Sequence, residues 1–203
     1  MTLRGVVLTS GLSALVLVAA GPASTLAALQ QQAAAPLAAA LGVELLEPLQ
    51  ALSPDPDLEA LATAMGVLAP LPIDPGLPLE EGRHWAAALG AWRQPVLLLV
   101  AADQVESGLP AALHALMVVW QVPTLGLVQW GGRWDPQARR RDGLPWLGRL
   151  ATDGVGEGVG EWVGDGAGDL ADAGQEEQAL ELCRSVAARW AGLRSSLEEA
   201  PLA

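Results

Sequence analysis

The side chains most able to bind a charged ligand in this sequence are arginines. The chain has 11 arginines and no lysine, so no ammonium side chain is available for a Schiff base or for phosphate chemistry. Arg139, Arg140 and Arg141 follow one another in the stretch GGRWDPQARRRDG, residues 131–143. Guanidinium groups bind phosphate or carboxylate through paired hydrogen bonds. This stretch is therefore a candidate anion site.

Two other interpretations of the same stretch stay open. A run of charges is most often a solvated loop, and an acidic segment further along the chain could also fold over the arginines. Trp130 and Trp134 flank the run, and exposed tryptophans often mark a partner surface. With Gln129 and the three arginines, they form a candidate nucleotide-binding or partner-binding surface.

Metal and thiol chemistry have little support. His84 and His114 are the only histidines and lie far apart in the sequence, and Cys183 is the only cysteine. The chain can form no internal disulfide, and its Cys and His residues lack the spacing typical of zinc sites. We expect no metal site, and we assign no catalytic residue.

Charge and hydropathy argue against a nucleic-acid-binding protein and against a membrane-spanning protein. A net charge of −12 argues against nucleic acid as a partner, because a phosphate backbone needs a basic footprint. The apolar run at residues 6–20 is shorter than the roughly 20 residues that a membrane-spanning helix needs. Residues 1–27 resemble a secretory signal, with one arginine and a short apolar run, but they also fit a buried strand and turn. We expect a cytoplasmic protein, with export as the alternative.

Short apolar runs alternate with helical patterns along the chain. The strands are predicted at residues 5–9, 14–19, 43–46, 95–101, 124–129 and 146–150. The helices are predicted at residues 24–40, 57–65, 84–92 and 109–120. Residues 67–83 contain four prolines and are predicted to be a loop. The alternation predicts an α/β three-layer sandwich with a mostly parallel sheet.

The tail differs from the rest of the chain. Residues 1–152 form the predicted α/β domain, and residues 153–175 form an acidic, glycine-rich linker. Residues 176–203 are predicted to contain a closing helix that docks on the same domain. One stripe of that helix is apolar: Leu180, Cys183, Val186, Ala187, Trp190 and Leu193.

Two stretches together resemble one enzyme family. The segment RQPVLLLVAADQVESGLPAALHALMVVWQVPTLGLVQWGG, followed by GLPWLGRLA, is similar to the C-terminal half of dethiobiotin synthetases. The stretch LLEPLQAL, residues 45–52, stands where that family has Tyr-Trp-Lys-Pro-Val-Gln-Ser-Gly. The resemblance implies a P-loop NTPase fold of the SIMIBI type. It also implies a homodimer that closes a ureido ring with ATP and Mg²⁺.

The resemblance does not extend to the family's phosphate-binding loop. The corresponding stretch is VAAGPAST, residues 18–25, where Gly21, Ser24 and Thr25 mark a vestigial loop. Only Thr25 matches the family, Ser24 stands where the lysine is needed, and Pro22 removes a backbone amide. Amides and a lysine are the groups that hold phosphate in such loops.

The other catalytic motifs of the family also differ. Glu47 stands where the lysine of Lys-Pro-Val-Gln is expected, so Glu47 and Gln50 mark a vestigial catalytic turn or a plain strand-to-helix connection. The glycine-rich strand end that serves magnesium has no counterpart before Gln94, and Trp130 replaces the asparagine that reads adenine.

From these departures we predict a catalytically degenerate relative that acts by binding a small ligand or a protein. The protein partner would be a second copy of the chain or a protein similar to the same family. We expect no cofactor, and ATP and Mg²⁺ only if the family activity survives. The alternatives are an active dethiobiotin synthetase and an exported α/β protein.

Overall fold

The structure is a computed structural model that describes residues 13–50, 52–150 and 167–199. Its strands are β1 Leu15–Ala20, β2 Glu44–Leu45, β3 Val67–Leu71, β4 Val96–Ala101, β5 Thr124–Trp130 and β6 Trp146–Leu150. Its helices are α1 Ala23–Leu41, α2 Pro54–Ala62, α3 Trp85–Ala91, α4 Leu109–Val119, α5 Pro136–Arg141 and α6 Ala167–Glu199. Single 3₁₀ turns lie at Glu80–Gly82 and Ala102–Gln104.

The strands form one six-stranded sheet in the order β2-β3-β1-β4-β5-β6, and each neighbouring pair is parallel. All six residues of β1 are buried, which explains why this strand is a continuous apolar run. Side chains from α1 and α6 pack on one face, and side chains from α2, α3 and α4 pack on the other. The predicted α/β sandwich with a parallel sheet is confirmed at this level.

The strand β3 corrects the prediction that residues 67–83 are a loop. Pro70 lies inside β3, where its missing N–H would normally break the ladder. The carbonyls of Leu68 and Pro70 both face the β2 side, because they accept hydrogen bonds from the N–H groups of Leu46 and Leu49. The ladder with β2 pairs only Val67 and Leu68, so the nitrogen of Pro70 faces a side where strand pairing has already ended.

The strand predicted at residues 5–9 falls outside the described residues. At the other end of the chain, the structure differs from the prediction. The helix α6 begins at Ala167, inside the segment predicted as linker. Its buried residues Leu182, Val186 and Trp190 pack with Leu125 and Leu150 of the sheet. The helix therefore covers the β5–β6 end of the sheet.

Candidate functional site

The topology singles out one region for ligand binding, at the carboxyl ends of β1 and β4. These two strands are neighbours, but α1 and α4, which follow them, pack on opposite faces of the sheet. In open α/β sheets, such a switch point leaves a crevice outside the carboxyl ends of the strands, where ligands bind. A cleft of about 280 Å³ lies beside the end of β1, between α4 and the loop after β3, and we call it the carboxyl-edge cleft.

The carboxyl-edge cleft is mainly apolar. Residues 19–21 line it at the end of β1, and Asp74 lines it from the loop after β3. The remaining lining residues belong to one side of α4: Leu109, Ala112, Leu113 and Leu116. Among the described residues that line the cleft, Asp74 is the only charged one, and none is an arginine.

The turn between β1 and α1 places Gly21 in the cleft. Pro22 precedes the first turn of α1, which has no side-chain cap. Thr25 donates its hydroxyl to the Pro22 carbonyl at 3.1 Å, and Ser24 is exposed. The turn thus connects a buried strand to a helix, and it contains no cationic side chain.

The loop that carries Asp74 is fixed by hydrogen bonds. The N–H of Gly76 donates to Asp74 Oδ1 at 2.8 Å, and the N–H of Leu77 donates to the Asp74 carbonyl at 3.2 Å. The N–H of Ala86, in α3, donates to the Pro75 carbonyl at 2.9 Å. Sequence analysis missed Asp74, although an acidic residue shortly after the apolar run VLAPLPI was the available signal.

The turn at Glu47–Gln50 lies outside the carboxyl-edge cleft. Leu49 is buried and its N–H donates to the Pro70 carbonyl at 2.9 Å. The N–H of Gln50 donates to Asp57 Oδ2 at 2.5 Å, which joins the turn to α2. Glu47 is exposed. The observed contacts are those of a strand-to-helix connection.

The surface predicted around the arginine run divides into buried and exposed residues. Gln129 is 1% exposed, and its Nε2 donates to the carbonyls of Gly131 at 2.8 Å and Arg133 at 3.1 Å. Gln129 therefore closes the turn after β5 instead of facing solvent. Trp130 is half-buried and packs against the core on the α1 and α6 face.

One interpretation of the arginine run was a solvated loop. The structure instead shows a short helix there, α5. Asp135 caps it by accepting from the N–H groups of Gln137 and Ala138 at 2.9 and 3.0 Å. The hydrogen bond from Ala138 is the main reason that the pKa of Asp135 lies below its usual value, with smaller contributions from Gln137 and from nearby arginines. A cap after Trp134 explains why a helix begins there.

Arg139 is 6% exposed, so it is not part of an accessible surface. Its guanidinium donates to Glu106 and, at 3.2 Å each, to Asp142 Oδ2 and the Val105 carbonyl. It also lies 5.2 Å from the centre of the Trp146 ring, which contacts Trp134 edge-on at 6.2 Å. Arg140 and Arg141, by contrast, are exposed.

The histidines have structural contacts. His84 Nδ1 accepts from the N–H of Ala87 at 3.1 Å and so caps α3, and its ring contacts Trp120 edge-on. Burial, followed by the positive charge of Arg189, lowers the pKa of His114 below its usual value, so this residue of α4 is neutral at pH 7. Within the described part of the chain, no group of three or more His, Cys, Asp or Glu residues could hold a metal ion.

A scan against protein-family models finds no match for the chain, and a search of curated proteins finds no significant match. Of the helices in the described segments, none is long and apolar enough to cross a membrane. The class defined by the geometry is thus an α/β protein with a parallel sheet and a cleft at the carboxyl end of β1.

Proposed function

We propose that this chain is a catalytically degenerate, dethiobiotin synthetase-like protein of the P-loop NTPase type, and that it acts by binding. The support is the similarity of residues 94–151 and 45–52 to that family, together with a parallel sheet and a cleft next to the β1–α1 turn. The cytoplasm is the compartment we propose. Sequencing of the mature N-terminus would reveal removal of residues 1–27 if the chain were exported.

The observation that carries the proposal is the charge of the carboxyl-edge cleft. A nucleotide triphosphate needs amides and cations to offset its negative charge. Within the described part of the chain, the residues that line the cleft include one carboxylate, Asp74, and no cation. The volume of about 280 Å³ also lies below the roughly 300–1,000 Å³ of sites that enclose drug-sized ligands. Both features favour a ligand smaller and less anionic than ATP.

Catalysis is disfavoured by the number of missing groups. Losing one donor that stabilises a transition state costs about 10²–10³ in rate. The lysine of the phosphate loop and the lysine replaced by Glu47 are both absent from the sequence. Arg139, which is buried and paired with Glu106 and Asp142, is not free to replace them. An active synthetase that uses ATP and Mg²⁺ is the alternative function.

As the protein partner we propose a second copy of the chain, which would dock through α4. This helix exposes Ala111, Ala115, Val118 and Val119 to solvent, with Val119 72% exposed. His114 is the only titratable residue of α4 and is neutral at pH 7. In a molecule of net charge −12, this uncharged face is where two copies can meet without bringing like charges together. The small alanines allow two helices to approach closely.

The first experiment is calorimetric titration of the purified chain with ATP and Mg²⁺. We expect no heat of binding up to millimolar ATP, because none of the lining residues that the structure describes is a cation. Micromolar binding would overturn the proposal and favour the active synthetase. Complementation of a strain that lacks dethiobiotin synthetase provides the second arm, and growth at normal expression would likewise contradict the proposal.

A further inference from the structure

We infer that the carboxyl-edge cleft binds a small hydrophobic amine, whose ammonium group contacts Asp74 and whose apolar part packs against α4. The inference rests on the proposed function, because it takes this cleft as the binding site of a protein that does not use ATP. It adds the chemical class of the ligand.

Asp74 has one oxygen available for a ligand. Its Oδ1 accepts from the N–H of Gly76, whereas its Oδ2 has no hydrogen-bond or ion-pair partner among the residues that the structure describes. A carboxylate is an acceptor only, so its natural partner is a donor and preferably a cation. A hydrogen bond between two ionised groups is shorter and stronger than a neutral one. The free oxygen of Asp74 therefore selects an ammonium group.

The carboxylate is held in place before a ligand arrives. The Gly76 hydrogen bond fixes the side chain of Asp74, and the bond between Ala86 and Pro75 fixes the loop to α3. Gly76 lies so close to α4 that a Cβ there would be 3.2 Å from Leu116 Cδ2. A group that is already ordered loses little conformational entropy when it binds.

The rest of the cleft selects an apolar body. Leu113, Leu116 and Ala112 line it from α4, and the lining residues in the described segments include no second charged side chain. The start of α1 contributes about half a positive charge at most, which is less than the full negative charge of Asp74. A carboxylate or phosphate on the ligand would therefore meet a net negative site. The preferred ligand is an amine with a short hydrocarbon part.

The test is a titration of the ¹⁵N-labelled full chain with n-hexylamine, hexanoate and 1-hexanol, followed by NMR at pH 7, where an alkylamine is protonated. We expect hexylamine to shift the amides of Gly21 and Ala112 and to bind at least about tenfold more tightly than hexanoate. Asp74→Asn keeps the acceptor for Gly76 and removes the charge, so the Kd of hexylamine should rise about tenfold. Asp103→Asn makes the same charge change at an exposed residue that does not line the cleft, and it should leave the Kd within about twofold.

Three results would overturn the inference: hexanoate binding as tightly as hexylamine, an unchanged Kd in Asp74→Asn, or no binding of any probe. Ala112→Trp fills the cleft from an exposed helical position and should abolish binding of hexylamine even if Asp74→Asn does not fold; retained binding would place the ligand elsewhere. If no amine binds and ATP gives no heat of binding, only the inferred class of ligand is wrong, and the proposed function is not contradicted. Binding of ATP would instead remove the proposed function.

Discussion

At the residue scale, one member of a charged run belongs to the interior. Arg139, Arg140 and Arg141 are identical in sequence, but α5 turns by about 100° per residue. Only Arg139 points inward. Its guanidinium donates hydrogen bonds to Glu106, to the Val105 carbonyl and to Asp142 at the end of α5. Its role is to attach the turn after β4 to the segment that follows β5.

We predict that Arg139→Met lowers the free energy of unfolding by about 1–3 kcal/mol, because two carboxylates and the partly buried Val105 carbonyl lose their hydrogen-bond donor. Arg140→Met is the matched control, since Arg140 is exposed, and it should change stability by no more than about 0.5 kcal/mol. Urea unfolding followed by tryptophan fluorescence measures both. Equal effects of the two variants would show that burial of Arg139 does not contribute to stability.

Sequence analysis could not separate these arginines, because a six-residue helix is too short to show a periodic pattern. It also placed Gln129 on a surface, although β5 is buried on both faces of the sheet and Gln129 lies beside Val100 of β4. Asp74 was missed because its meaning depends on α4, which follows it by more than thirty residues in the chain. Residues that are far apart in the chain but close in the fold form no local pattern that sequence analysis can detect.

At the element scale, the elements with strong local signals were predicted well. The strand β6 has the predicted bounds, and β1, β4, β5, α3 and α4 differ by one or two residues at most. The strand β3 was missed because a proline normally interrupts a strand. Pro70 is tolerated only because its nitrogen faces the edge of β3 that has no partner strand at that point. That condition depends on how short β2 is, which is a property of the assembled sheet.

The close approach of α3 to α4 supports the next prediction. A Cβ at Gly90 would lie 1.9 Å from the Trp120 carbonyl oxygen, so Gly90→Ala forces the end of α3 away from the residue that follows α4. We expect a loss of about 1–3 kcal/mol in the free energy of unfolding, as in other overpacked sites.

Gly192→Ala is the control for that variant. A Cβ at Gly192, in α6, would meet no heavy atom of the described residues within 4 Å, apart from the backbone of its own helix. Alanine is favoured over glycine in a helix by roughly 0.5–1 kcal/mol, so this variant should be stabilised. Thermal and urea unfolding of the two variants give the sign of each change. A neutral or stabilising Gly90→Ala would mean that the two helices are further apart than in the structure.

At the scale of the whole molecule, the distribution of charge determines which surface can meet another copy. The chain has a net charge of −12, so two copies repel each other in most orientations. The exposed side of α4 is uncharged and lies next to large apolar residues such as Trp120, which is 40% exposed. A twofold axis near this helix would pack α4 of one copy against α4 of the other, so that each residue of the interface is used twice.

We therefore predict a dimer in sedimentation-velocity experiments and a monomer for Val119→Glu, because that change places two like charges in an apolar contact. Ala35→Glu adds the same charge at an exposed residue of α1, on the opposite face of the sheet, and should remain dimeric. Raising the salt concentration should strengthen the wild-type dimer, since screening weakens repulsion between acidic copies and leaves the apolar contact intact. A wild-type monomer at high salt, or dissociation by Ala35→Glu as well, would contradict the assignment of α4 as the dimer interface.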